Sequence, residues 1–424
     1  MLQLKLKQAS RKKRLTDVWS QPQQGSSTPW KQQRIAPRNW NLTQHLYKLN
    51  AEQLHQELWL LLLICVLAGS APLAVFPRCS SRVHAAVQHV WLLALYIWLC
   101  CAAYLELADG SQDRNNLERN FYIFESVTYL IHIPCIMILS MRWKRRIAGV
   151  FQAIGEFDLA CGYIVDRRRI RRFVRHQLWL LLILASCCIP IVLSHRDYEM
   201  CKSLVNLSTY VLPNILSSIS FVLYYALLQG IRLRLHRLAR ALQVELQRGP
   251  LTRRAELQQL RGQHTQLLHF TKRVNQTFGV SVLLLYVSSL INFNTNLFLV
   301  YKAIEKPGKA DWPWLAYTIL WLLMHTGKMF FILYFNHNVQ QLQTHCAALL
   351  SKVSAAGEDL LETINHFALQ LQGNVRAHVA CGLFELDYKL IPALLMTTAN
   401  LFIFLLQYDI TFQALARAMN ITAF

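Results

Sequence analysis

Charge is scarce in this 424-residue chain: Asp, Glu, Lys and Arg make up 16% of it against 54% from the apolar set, which excludes a disordered chain. Acidic residues are scarcer still, 23 against 44 basic ones. The net charge of +21 would suit nucleic acid if the apolar residues were not gathered into long uncharged runs, so no nucleic-acid partner is expected. No His-Glu-x-x-His, Gly-x-Ser-x-Gly or P-loop pattern occurs, no pair of aspartates lies within an apolar run, and no spacing of cysteine or histidine suits a metal. Neither an enzyme nor a cofactor is expected. The eleven cysteines are odd in number and sit mostly in or beside apolar runs, which argues against a secreted disulfide scaffold. Segments 90–230 and 278–408 do not repeat one another, as the halves of many transporters do.

What the chain has is apolar runs of membrane-crossing length. A bilayer core needs about 20 mostly apolar residues in a helix, the one single-segment structure that satisfies its own backbone there. Runs of this kind fall at 90–106, 121–141, 178–194, 207–230, 278–301, 312–335 and 390–408. The fold expected is therefore all-α, a multi-pass membrane protein with seven transmembrane helices. An eighth run, 58–76, is uncharged but carries Pro72 near its end, and its richest part is short. It reads as a membrane-associated re-entrant or amphipathic element. More than 50 mostly polar residues precede it, which is unlike a signal peptide.

Basic residues orient the spans, because cytoplasmic loops hold the excess of Lys and Arg. With seven spans and a cytoplasmic N-terminus, 35 Lys and Arg fall inside and 8 outside, Lys328 lying within a run. The C-terminal tail is then extracellular. Of the four glycosylation sequons, those at Asn206 and Asn420 fall near or beyond the outer surface and those at Asn41 and Asn275 inside. The run from Arg167 to Arg172 reads as positive-inside anchoring. Arg234, Arg237 and Arg240 recur every third residue but start after the fourth span ends, so no voltage sensing is expected of them. Segments 231–274 and 342–371 carry apolar residues at three- and four-residue spacings and read as cytoplasmic helices that pack together.

Polar groups inside spans are costly unless paired or facing water, so they are candidates for function. They gather toward the outer half: Glu125 and Tyr129 in the second span, Tyr210, Asn214 and Ser217 in the fourth, Asn292 and Asn296 in the fifth, Tyr317 and Trp321 in the sixth. Together they could line an outward-opening cavity with aromatic walls, suited to a small organic ligand. The competing reading of each residue singly is a hydrogen bond between helices. His325, Thr326 and Lys328 lie deeper, and Lys328 is expected to snorkel to the cytoplasmic face.

The segment Cys381-Gly382-Leu383-Phe384-Glu385-Leu386-Asp387 resembles the one preceding the last span in insect gustatory receptors, a chemoreceptor family related to insect odorant receptors. Members carry Thr-Tyr, five hydrophobic residues, then Gln-Phe; here Asn400-Leu401 precede Phe402-Ile403-Phe404-Leu405-Leu406 and Gln407-Tyr408. Spacing, glutamine and aromatic are kept, and the Thr-Tyr pair is not. The resemblance implies a ligand-gated cation channel opened by a small-molecule tastant in the plasma membrane of chemosensory neurons. It further implies a homo- or hetero-tetramer whose last spans surround the pore. Gln407 stands about 26 Å along the last span from Leu390, near the outer mouth. Four copies of Phe404, Gln407 and Tyr408 could close the pore by excluding water, and Asp409 could add a ring of carboxylates at the exit. The chain divides accordingly into a leader, 1–87, holding the element 58–76; a six-span ligand-binding bundle, 88–335, with a cytoplasmic linker at 231–277; cytoplasmic anchor helices, 336–389; and the pore-lining span with its tail, 390–424. A secondary transporter of a small solute and a non-conducting co-receptor subunit are the alternative readings.

Overall fold

The computed structural model describes residues 58–76, 81–109, 116–161, 167–195, 199–247, 254–305, 312–350, 358–374, 379–380 and 383–422, all within one compact unit, Leu46–Phe424. Eleven α-helices are described among these residues. They are α1 (Leu58–Leu67), α2 (Arg82–Asp109), α3 (Asn116–Arg142), α4 (Lys144–Ala160), α5 (Arg167–His195), α6 (Met200–Asn206), α7 (Leu212–Gln247), α8 (Arg254–Glu305), α9 (Trp312–Leu350), α10 (Glu358–Asn374) and α11 (Ile391–Thr422). A π turn, Leu207–Val211, joins α6 to α7 without a break. The one ladder among the described residues pairs Val379–Ala380 (β1) with Phe384–Glu385 (β2), antiparallel.

Seven helical stretches are long and apolar enough to cross a membrane, and the seven apolar runs of the sequence fall within them in order. α7 is the central one, with 83% of its most apolar window buried, whereas α5 has 11% and α11 none. Pro134 and Pro190 sit inside α3 and α5, tolerated because neighbouring helices can satisfy a freed carbonyl in a membrane bundle.

The amphipathic stretches at 231–274 and 342–371 are largely not separate helices. α7, α8 and α9 run on beyond their apolar windows, so that α8 reaches 52 residues, and among the described residues of these stretches α10 is the one separate helix. At this basic end of the bundle, Leu235, Leu238 and Leu242 of α7 and Leu257, Leu260, Leu267 and Val274 of α8 are buried. Val339, Cys346 and Leu350 of α9 and Ile364, Phe367 and Leu371 of α10 join the same core. The spacings of three, four and seven place each set on one helix face. Each fully buried large side chain contributes about 1.5–3 kcal/mol where water is the alternative, so this base is a substantial hydrophobic anchor of the fold.

The element 58–76 turns back on itself. α1 is about 15 Å long, half the thickness of a hydrocarbon core. Leu58, Leu61, Leu62 and Cys65, at helical spacing, bury one face of it in the main core. The chain then reverses at Gly69, whose φ of 76° is left-handed, and continues into a 3-10 turn, Leu73–Val75. Gln88 of α2 holds the reversal: its Oε1 accepts from Leu73 N at 2.8 Å, and its Nε2 donates to Ala71 O at 3.0 Å. Ser140 Oγ of α3 donates to Gly69 O at 2.7 Å.

Arg234 turns inward from α7 toward α4. Its Nε and Nη2 donate to the two oxygens of Asp158 at 2.7 and 2.5 Å, and its Nη1 donates to Gly230 O at 2.7 Å. Burial pushes the Asp158 carboxyl above its ordinary value, outweighing the opposite pull of Arg234 and Arg237.

Candidate functional site

Helical spacing brings the polar residues of four helices to a common interior. On α3, Tyr122, Glu125, Tyr129 and His132 recur at three, seven and ten residues and are all buried. On α9, buried Tyr317, Trp321, His325 and Lys328 follow Trp314 on the same face, at three, seven, eleven and fourteen residues. Tyr210 of the π turn with Asn214 and Ser217 of α7, and Asn292 and Asn296 of α8, supply the other two sides and are buried too.

The end of this interior farther from the basic base is aromatic. Trp314 stacks on Tyr317 with centroids 4.9 Å apart, Tyr317 meets Trp321 edge-on at 5.4 Å, and Tyr122 touches both Tyr210 (5.9 Å) and Trp314 (6.2 Å). Such tilted and offset contacts make a rigid apolar wall. Deeper in, the interior turns polar. Lys328 Nζ donates to Asn214 Oδ1 at 2.8 Å, to Ser217 Oγ at 2.9 Å and to Asn214 O at 3.3 Å. Lys328 therefore points into the bundle instead of snorkelling to the membrane surface, because three acceptors on α7 lie within its reach.

Several buried polar atoms have no hydrogen-bond partner among the described residues: Glu125 Oε1 and all four ring nitrogens of His132 and His325. Glu125 acts electrostatically on Tyr129 and Tyr317, which places these three together. Asn296 differs, giving its amide N–H to Asn292 O at 2.8 Å within its own helix. Buried polar groups are nearly always satisfied, so unpartnered ones gathered in one interior call for water or another polar partner there. His132 was not singled out from the sequence, although its position three residues after Tyr129 continues the face that begins at Tyr122.

α11 leans mainly on α8, and most of its surface is uncovered. Phe404 is 60% and Tyr408 48% exposed, and Gln407 is exposed with them. Asp409 does not share their face. It is 6% exposed and forms an ion pair with Lys302 of α8, which also pairs with Glu305 at 2.8 Å. The carboxylate of one chain is thus directed into its own bundle and away from the expected exit ring. The start of α11 is fastened as well: Asp387 Oδ1 accepts from Tyr388 N at 2.7 Å and lies 2.6 Å from His337 Nδ1 of α9, while the His337 and Tyr388 rings stack with centroids 4.3 Å apart. Of the other motif residues, Phe384 belongs to β2, and Cys381 and Gly382 lie outside the described residues.

Comparison with known proteins agrees with this architecture. The family described as 7tm Chemosensory receptor matches residues 58–412. Gustatory receptor 59f of Drosophila melanogaster is 40% identical over 380 residues, covering 89% of this chain and 94% of that protein. Gustatory receptor 59e of the same species is 31% identical over 131 residues, 31% of this chain and 33% of that protein. Among solved structures, the insect olfactory receptor OR5 of Machilis hrabei superposes with a TM-score of 0.62 at 12% identity, covering 84% of this chain and all of that one. Its complex with eugenol gives 0.56 at 12% identity over 85% of this chain. Matched along nearly its whole described length, and sharing the seven-helix fold, the chain belongs to the 7tm chemosensory receptor family.

Proposed function

We propose that this receptor is a ligand-gated cation channel of the plasma membrane, opened by a small organic tastant and assembled as a tetramer around its last helices. The exposed face of α11 carries the reading. A helix with no buried residue in its apolar window, bearing Phe404, Gln407 and Tyr408 on uncovered surface, is suited to meet copies of itself around an axis. Four such faces would give an aromatic and polar constriction that closes by dewetting. The unpartnered polar interior between α3, α7, α8 and α9 is the ligand site in this reading, and the eugenol complex of the olfactory receptor supports a small organic ligand for the fold.

Coupling runs through the two helices that both line the site and hold α11. α9 carries Trp321 and Lys328 inside the site and His337, about 14 Å further along, against Asp387. α8 carries Asn292 inside the site and Lys302 against Asp409. A ligand that binds better when α8 and α9 are shifted would move both anchors of α11 and open the pore by population shift. Asp409 belongs to this linkage rather than to the ion path. The test is recording from purified protein in a planar bilayer with a tastant panel. Tyr408→Ala and Gln407→Ala are expected to change basal or evoked current at unchanged surface expression; unaltered current and ion selectivity in both would refute the pore assignment.

A further inference from the structure

The floor of the polar interior holds a charge without an opposite number. All three acceptors of Lys328 Nζ are neutral, a backbone carbonyl, an amide oxygen and a hydroxyl, although the residue is only 7% exposed. An ammonium in such a place loses most of its hydration, and neutral partners return only part of it. A leucine would fill the space between α7 and α9 without that penalty, so packing alone does not account for a lysine here. The neighbouring groups share the same lack. His132 of α3 and His325 of α9 both feel the Lys328 charge, yet none of their ring nitrogens meets a hydrogen-bond partner among the described residues. Tyr129 lies beside Asn214 and Asn292, both neutral amides. Ammonium, imidazole and phenol can all donate, and what they lack is a negatively charged acceptor.

We propose that this floor binds the carboxylate of a small organic acid. Lys328 supplies the opposite charge, and the His132, His325 and Tyr129 N–H and O–H groups donate to its two oxygens, which have room for about four such bonds. The rest of the ligand extends toward the wall of Tyr317 and Trp321. Monocarboxylic acids with an apolar body therefore fit. This assignment rests on the interior being the ligand site, but it is tested by binding, separately from conduction.

The full-length chain, purified in lipid nanodiscs, is to be assayed by thermal shift and tryptophan fluorescence against acetate, butyrate, phenylacetate and benzoate, each beside its methyl ester and amide. At least one acid should raise the melting temperature where its ester does not. Lys328→Met should weaken that acid by about tenfold or more, the loss of its opposite charge, and Lys328→Arg should retain most of the affinity. If Lys328→Met does not fold, the double variant His132→Leu, His325→Leu keeps the Lys328 contacts, removes the ring donors and should weaken the acid similarly. Equal shifts by acids and esters, no shift by any acid in the series, or undiminished acid binding in the folded variants would each overturn the proposal. Acid binding without current in the bilayer would uphold the subsite and count against the channel; current evoked by neutral tastants with no acid binding would do the reverse.

Discussion

Asp158→Asn removes one charge from a pair whose side chains are 2% and 3% exposed, leaving the Arg234 guanidinium buried beside a neutral amide. Two parallel N–H donors, Nε and Nη2, then face one acceptor oxygen and one amide donor, so one of the contacts at 2.7 and 2.5 Å becomes donor against donor. Breaking a buried pair in this way costs about 3–5 kcal/mol, whereas an exposed pair would be worth at most about 1 kcal/mol. Replacing both residues at once, Asp158→Leu with Arg234→Leu, removes both desolvation penalties and should come within about 1 kcal/mol of the parent. With Asp158→Leu and Arg234→Leu as the single variants, each costing about as much as Asp158→Asn, the coupling energy of the double-mutant cycle is about 3 kcal/mol or more. Unfolding of the purified protein in mixed micelles, followed by tryptophan fluorescence, measures all four corners. Arg234→Lys should fall between, because an ammonium cannot make the two-point contact. A loss below about 1 kcal/mol for Asp158→Asn, or simple additivity in the cycle, would refute the argument that this pair fastens α4 to α7.

Three further outcomes are expected. Gly69→Ala should lower stability by about 2 kcal/mol or more, since φ is 76° and a Cβ would stand 2.7 Å from Met137 Cγ and 2.9 Å from Leu92 Cδ2; Gly262→Ala, in open space on α8, should raise it by about 1 kcal/mol, both read by thermal unfolding. Lys302→Met or Asp409→Asn should raise basal current by freeing the far end of α11, and a resting current like the parent's would count against that linkage. Treating protein from insect cells with a glycosidase should shift only chains with Asn420 intact, because the Asn206 side chain is 1% exposed and donates to Glu106 Oε1 at 2.9 Å; sugar on Asn41 would reverse the orientation inferred from the basic residues.

The seven helices were legible because crossing a bilayer imposes a length and an apolarity that no other constraint produces over such runs, as 178–194 shows within α5. The site was legible by face and only partly by content. Glu125 and Tyr129 share a helical stripe that a linear reading detects, yet Tyr122 and His132 sit at the same periodicity, and one tyrosine or histidine in an apolar run resembles packing. Lys328 shows the limit more sharply. A flexible four-carbon stem can reach toward a membrane surface or across to a neighbouring helix, and only the position of Asn214 and Ser217 decides between them. Asp409 is a similar case, since its rotation on α11 depends on where Lys302 stands. Periodicity gives the angle of a side chain about its own axis. Partnership needs the second axis.

The two fastenings, at Asp387 just before α11 and at Asp409 within it, are separated by 22 residues, of which Ile391 to Asp409 make about 27 Å of helix. A piston stroke of even one turn, about 5.4 Å, would tear both attachments together, while bowing or swivelling about the line joining them would stretch neither. The rod between the pins is therefore free to flex sideways and resists sliding; in the channel reading Phe404, Gln407 and Tyr408, next to the pin at Asp409, follow Lys302 and α8 more closely than mid-span does.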